Sequence, residues 1–120
     1  MTFIFQNLRV YQLAVNLAEQ ISKLTDTFPK GTYYLKDQLN RAALSIALNI
    51  AEGNGRFHKA DRRQFFYIAR GSCHECVPII EICFRRGLVC GEEYCALNQS
   101  LVEIAKMVSG LIKGIENCMS

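Results

Sequence analysis

Apolar residues recur along the chain at spacings of three and four, and no stretch alternates polar and apolar positions as a half-buried strand would. In the first segment Val10, Ala14, Leu17, Ile21, Leu24 and Phe28 share one helical face, and Pro29 with Gly31 ends it, which predicts a helix from about Asn7 to Thr27. A second helix, about Tyr33 to Gly53, carries Leu35, Leu39, Ala42, Ile46 and Ile50 and stops in a Gly53-Asn54-Gly55 turn. The third spans about Asp61 to Arg86, where two arginines suit the negative end of the helix and Gly87 is a natural left-handed terminator. Beyond Gly91, Leu97, Leu101, Ile104, Val108, Leu111 and Ile115 hold a near seven-residue repeat, the pattern of a bundle seam. Short connections favour antiparallel neighbours, so the expected fold is all-α: an antiparallel up-down-up-down four-helix bundle, one domain over residues 1–120.

Pro78 interrupts this pattern, because inside the third helix it removes the hydrogen bond to the His74 carbonyl and crowds that turn. Either the helix kinks there or two shorter helices meet near Val77.

The second helix is apolar almost all round. Gln38, Arg41, Ser45, Asn49, Glu52 and Arg56 fall within an arc of about 80°, with Leu35, Leu39, Ala42 and Ile46 on one side and Leu44, Ala47, Leu48 and Ala51 on the other. One bundle core covers a single face, so the second face predicts cover by another subunit and hence a homo-oligomer. The alternative is a helix buried deeply within its own bundle.

Composition narrows the class. At 120 residues, 50% hydrophobic and 21% charged, the chain is ordinary for a globular domain and unlike a disordered one. Its longest uncharged apolar-rich run, Ala42 to Ala51, falls short of the ~20 residues that cross a bilayer, so no membrane span is expected. The opening Met1 to Gln6 has no basic region followed by an apolar stretch and cleavage pattern, which predicts no secretory signal. The six cysteines (Cys73, Cys76, Cys83, Cys90, Cys95, Cys118) are therefore expected as reduced thiols in a cytoplasmic protein.

The net charge of +3 conceals an uneven distribution. Between Arg56 and Arg70, Arg56, Lys59, Arg62, Arg63 and Arg70 stand against Asp61, a local net of +4, while the rest of the chain sums to −1. Phe57, Phe65, Phe66 and Tyr67 are interleaved with these cations, and His58 adds a further titratable group. Cations neutralise phosphates and an exposed aromatic stacks on an unpaired base, which is the chemistry of single-stranded RNA binding. Arg56, Lys59, Arg62 and Arg63 are the candidate nucleic-acid-binding residues. The plainer alternative is a solvated helix start with Phe65 and Phe66 in the core. A third possibility is a protein-interaction scaffold, with the basic end serving only solubility or steering.

Arg41, Ser45, Asn49 and Glu52 on the second helix, with Arg70, Ser72 and Glu75 on the third, form a candidate polar network between the two, with Glu52–Arg70 and Arg41–Glu75 as candidate pairs. Such a network specifies register or subunit pairing. The catalytic reading, an acid–base pair in a cleft, lacks an accompanying nucleophile and a phosphate-cradling glycine loop, so no catalytic residue and no enzyme is expected. Cys73-His74-Glu75-Cys76 places two thiols on one helix face, as a zinc site would, but a second ligand pair is missing. Cys76 and Cys83, seven residues apart, fit a core stripe instead. Neither a metal nor a cofactor is predicted.

The run Leu39-Asn40-Arg41-Ala42-Ala43-Leu44-Ser45-Ile46-Ala47-Leu48-Asn49-Ile50-Ala51-Glu52-Gly53, followed by Arg56 and by Ala69-Arg70-Gly71-Ser72-Cys73-His74-Glu75, resembles the signature of the four-helix-bundle proteins associated with 23S ribosomal RNA intervening sequences. Phe5 to Val10, Phe28-Pro29 and Leu97 to Ile115 extend the resemblance over nearly the whole chain; it departs from the usual apolar pattern at Cys73, Cys76 and Pro78. The resemblance implies a left-handed up-down bundle from bacteria, often a ring-like homopentamer, whose biochemical role is poorly defined. A related branch is the accessory protein of diversity-generating retroelements, a basic barrel-shaped pentamer that partners a reverse transcriptase and nucleic acid. The expected partners are thus other copies of the chain, RNA or another nucleic acid, and a protein partner in the scaffold reading.

Overall fold

The stretches marked by three-and-four spacing are the ones that coil. A computed structural model describes residues 3–119; Met1, Thr2 and Ser120, and with them the very start on which the reading of a leader rests, lie outside the described residues. A 3₁₀ turn (Ile4–Asn7) leads into α1 (Arg9–Thr25), followed by α2 (Tyr33–Gly55), α3 (Lys59–Arg85) and α4 (Gly91–Met119). None of the described residues is in a strand.

Helix α1 buries Val10, Ala14, Leu17, Ile21 and Thr25. The buried Thr25 hydroxyl accepts a hydrogen bond from Asn40 Nδ2 at 2.8 Å and donates to the Ser22 carbonyl, so a polar group in the core has its partners. Gly31, at φ +89°, makes the turn into α2. At the far end of α3 the Leu88 N–H bonds the Cys83 carbonyl at 2.9 Å and the Gly87 N–H bonds that of Phe84 at 3.0 Å. With Gly87 at φ +74°, this is the left-handed termination its position predicts. Helix α4 then opens on a reciprocal cap: the Glu93 N–H donates to Cys90 Sγ at 3.4 Å while the Cys90 N–H donates to Glu93 Oε1 at 2.9 Å.

Each helix packs on the next, and α4 closes back on α1; the α2–α3 contact is the most extensive and α1–α4 the least. Residues near the end of one helix meet residues near the start of its neighbour, as in Gly53 against Phe66 and Glu116 with Tyr67, so neighbours run antiparallel. Ile46, Ile50, Phe66, Ile80, Ile104 and Val108 fill the centre with Leu17 and Ile21, each fully buried side chain of this size being worth roughly 1.5–3 kcal/mol. A smaller cluster, Leu35, Cys83 and Val89, seals the end carrying the α1–α2 and α3–α4 connections.

The structure settles one open alternative and corrects two expectations. Helix α3 runs through Pro78 unbroken, so it is one helix and not two; Pro78 and His74 are both exposed, which leaves the freed carbonyl region in water. In α4 the buried series ends Val108, Ile112, Ile115, with Leu111 half-buried and packed against the edge of the core. Finally, Gly53-Asn54-Gly55 is not a turn but the last turn of α2, and the connection to α3 shrinks to Arg56–His58.

Candidate nucleic-acid interface

One end of the bundle gathers the C-terminus of α2, the link Arg56–His58, the first turns of α3 and the C-terminus of α4. Here α2 and α3 pack tightly on each other at Gly53. A β-carbon on Gly53 would lie 2.7 Å from Phe66 Cε1 and 3.2 Å from the Arg62 carbonyl oxygen. Glycine is therefore there for close approach, and the helix continues past it.

The four predicted binding cations all lie at this end but differ in their surroundings. Arg56 Nη2 pairs with Glu52 Oε2 at 2.9 Å, and its guanidinium lies 4.7 Å from the centre of the Phe65 ring. Arg63 Nη1 is 3.7 Å from Glu116 Oε2. Lys59 is exposed and Arg62 half-buried; neither has an acidic partner among the described residues, and Arg62 Nε is buried without a hydrogen bond. A shallow hollow of about 280 Å³ beside Arg56 is lined by Phe5, Ala51, Glu52 and Gly55.

The interleaved aromatics separate into three kinds. Phe66 is core, and Phe65 is half-buried beneath Arg56. Tyr67 lies at the surface, where its hydroxyl donates to Glu116 Oε2 at 2.8 Å and the Arg70 guanidinium covers its ring at 4.9 Å. That bond to Glu116, followed by desolvation, raises the Tyr67 pKa. Phe57 alone stands clear, 91% exposed, touched edge-on by His58 at 5.3 Å between ring centres.

The predicted polar network is smaller than expected. Ser72 Oγ donates to Ser45 Oγ at 2.8 Å, and Asn49 Nδ2 donates to the Ser45 carbonyl at 2.8 Å and to Ser45 Oγ at 3.0 Å. Of these bonds the Ser45–Ser72 one ties α2 to α3, and those of Asn49 stay within α2. The charged members go elsewhere: Arg41 pairs with Asp37 at 3.7 Å, Glu52 with Arg56, and Arg70 Nη1 reaches Ser109 Oγ on α4 at 3.3 Å. Glu75 is exposed. The candidate Glu52–Arg70 and Arg41–Glu75 pairs thus do not form. Arg70 and Ser72 are about 200° apart around their helix, so when Ser72 faces α2, Arg70 must face α4.

Cys73, Cys76 and Cys83 are buried, the last two as their core spacing predicts. Burial pushes the Cys73 thiol up to about 11 and the Cys76 thiol to about 12. Among the described residues no group of three or more His, Cys, Asp or Glu comes together to hold a metal. No helix among them is long and apolar enough to cross a membrane.

Glu116 is the residue sequence reasoning missed. It neutralises Arg63 and holds Tyr67, yet it lies on the last turns of α4, and only the antiparallel return of that helix brings it to this end. Its place beside Ile115, at the end of the α4 stripe, was the available signal.

The family model for 23S rRNA-intervening sequence proteins matches residues 6–110. The chain belongs to this family. The matched span takes in Arg56, Lys59, Arg62 and Arg63 together with the Ser45–Ser72 tie, and it ends before Glu116. The fold is also that of a protein of unknown function from the S23 ribosomal protein family of Bacteroides thetaiotaomicron, 24% identical, with a TM-score of 0.77 over 87% of this chain and 98% of the other. Among curated proteins none matches.

Proposed function

We propose that this member of the 23S rRNA-intervening sequence protein family is a non-enzymatic, cytoplasmic, homo-oligomeric bundle that binds RNA or another nucleic acid through Arg56, Lys59, Arg62 and Arg63. The observation that carries the reading is the gathering of four cations at one end, two of which, Lys59 and Arg62, have no acidic partner among the described residues. Unpaired cations are the ones that gain most from a phosphate. Backbone contacts supply most of the affinity, and repetition of the end around an assembly raises it further.

Self-association draws on apolar surface a single chain leaves in water. Leu44 and Leu48 are 52% and 55% exposed on the outer face of α2. A different apolar surface, a groove of about 170 Å³ between α3 and α4, is lined by Val77, Leu101, Val102 and Ala105. Two unlike patches on one chain favour head-to-tail contacts, which give a ring where the rotation between copies closes, and the family resemblance supplies closure at five.

The test is fluorescence anisotropy of labelled single-stranded RNA, structured RNA and duplex DNA across a salt series, with mass measured in parallel. The wild type is compared with a variant carrying Ala at 56, 59, 62 and 63. Binding that weakens steeply with salt, with a shallower slope in a variant of unchanged mass, supports the reading. Absence of binding at low salt overturns it and leaves the scaffold alternative, in which the α3–α4 groove takes a protein partner with little salt dependence.

A further inference from the structure

We propose that Phe57 is a stacking platform for an unpaired base, so that the ligand of the basic end is a single-stranded or looped segment and not a continuous duplex. This rests on the reading of that end as a nucleic-acid interface, and it names the class of nucleic acid. Phe57 is the most exposed large apolar side chain among the described residues. It is also not on a loose loop. The link that carries it is three residues long, with the Arg56 N–H bonded to the Gly53 carbonyl on one side and the His58 carbonyl accepting from the Arg62 N–H on the other. The ring is thus held out in water by a short, anchored connection, at an entropic advantage over a flexible one.

Its neighbours decide what covers it. Arg56 precedes it, His58 and Lys59 follow, and Arg62 stands one turn into α3. A second copy docking the same end here would bring Lys59 and Arg62 against their own kind, and a cationic rim repels most protein surfaces of like charge. A strand of nucleic acid satisfies both features at once, its phosphates meeting the cations and a base covering the ring. Duplex RNA offers phosphates and grooves but keeps its base faces stacked, so it meets the cations without using Phe57. Phe65 and Tyr67 do not compete for this role, since Arg56 lies over the first and Arg70 over the second.

The sequence contains no tryptophan, so Phe57→Trp creates a single reporter at the site itself. In the full chain, titration with oligouridylate should quench the emission of the Phe57→Trp indole, whereas a self-complementary RNA duplex of equal length should bind with little change. Phe57→Ala should weaken oligouridylate binding roughly 5- to 150-fold and leave duplex binding within about twofold, with the salt slope unchanged. Oligouridylate that binds by anisotropy without altering the indole overturns the stacking role while the basic-end reading stands. Equal loss for both RNAs, or a change of oligomer mass in Phe57→Ala, also overturns it. If the wild type binds neither RNA at low salt, the basic-end reading fails and takes this proposal with it.

Discussion

The ring of Phe66 lies across Gly53, so that a β-carbon added to the glycine would stand 2.7 Å from Cε1 and 2.9 Å from Cδ1. Phe66 is 1% exposed and cannot swing into solvent, and the Arg62 carbonyl behind it is backbone. Alanine in a helix is ordinarily favoured over glycine by about 1 kcal/mol, whereas overpacking of a filled site costs about 1–3 kcal/mol. Gly53→Ala is therefore expected to destabilise the fold by up to about 2 kcal/mol, read from urea unfolding. Gly55, where a β-carbon meets nothing within 4 Å, is the control: Gly55→Ala should be neutral or stabilising.

The same contact explains which part of the sequence was legible. Apolar spacing located all four helices because it reports burial directly, and Gly87 was readable because a positive φ leaves a chemical mark. Gly53 was misread because glycine marks both a turn and a close crossing, and only the position of Phe66 distinguishes them. The polar stripe on α2 was real, but a stripe does not reveal which residues across the crossing point toward it. Ser72 does and Arg70 does not, a difference of rotation around one helix. Pairs four residues apart, Arg41–Asp37 and Arg56–Glu52, captured charges that a cross-helix scheme had assigned elsewhere.

Ser45 and Ser72 should couple energetically. Each hydroxyl has the other as its cross-helix partner at 2.8 Å, and Ser72 is buried. Ser72→Ala strands part of the bonding capacity of Ser45 and should cost about 1 kcal/mol. The double variant should cost less than the sum of the singles, by about 0.5–1.5 kcal/mol. A denaturant double-mutant cycle measures the difference.

Glu116 restrains the basic end. Replacing it in Glu116→Gln removes the acidic partner of Arg63 and the charged acceptor of Tyr67. The Tyr67 pKa, raised chiefly by that hydrogen bond, should fall toward the ordinary value of 10.0, which ultraviolet titration of the phenolate follows. A raised phenol pKa means that the folded state holds the proton more tightly; the associated stability is present below pH 10 and is lost as pH rises through the folded value. On the nucleic-acid reading, freeing Arg63 should also tighten RNA binding at low salt and steepen the salt dependence by up to about 0.7 in the logarithmic slope for one added phosphate contact.

Thiol reactivity should divide the six cysteines in half. Cys90, Cys95 and Cys118 are exposed, whereas Cys73, Cys76 and Cys83 are buried on the inner face of α3. The thiolate is the reactive form, and burial holds Cys73 and Cys76 at about 11 and about 12, so both are protonated at neutral pH as well as shielded. Three thiols should react rapidly with a chromogenic disulfide in the native protein and six after unfolding. Because folding raises these two values above the ordinary 9.0, the native state binds the protons more tightly than the unfolded chain. The resulting stability is complete below pH 9 and declines as pH climbs toward 11 and 12. Raising the pH from 8 to 10.5 should lower the melting temperature and bring the second set of three thiols into reach, and Cys76→Ala should reduce that alkaline sensitivity while costing some stability for the lost sulfur. Rapid reaction of more than three thiols in the folded protein at pH 7 would place one of the inner cysteines outside the core.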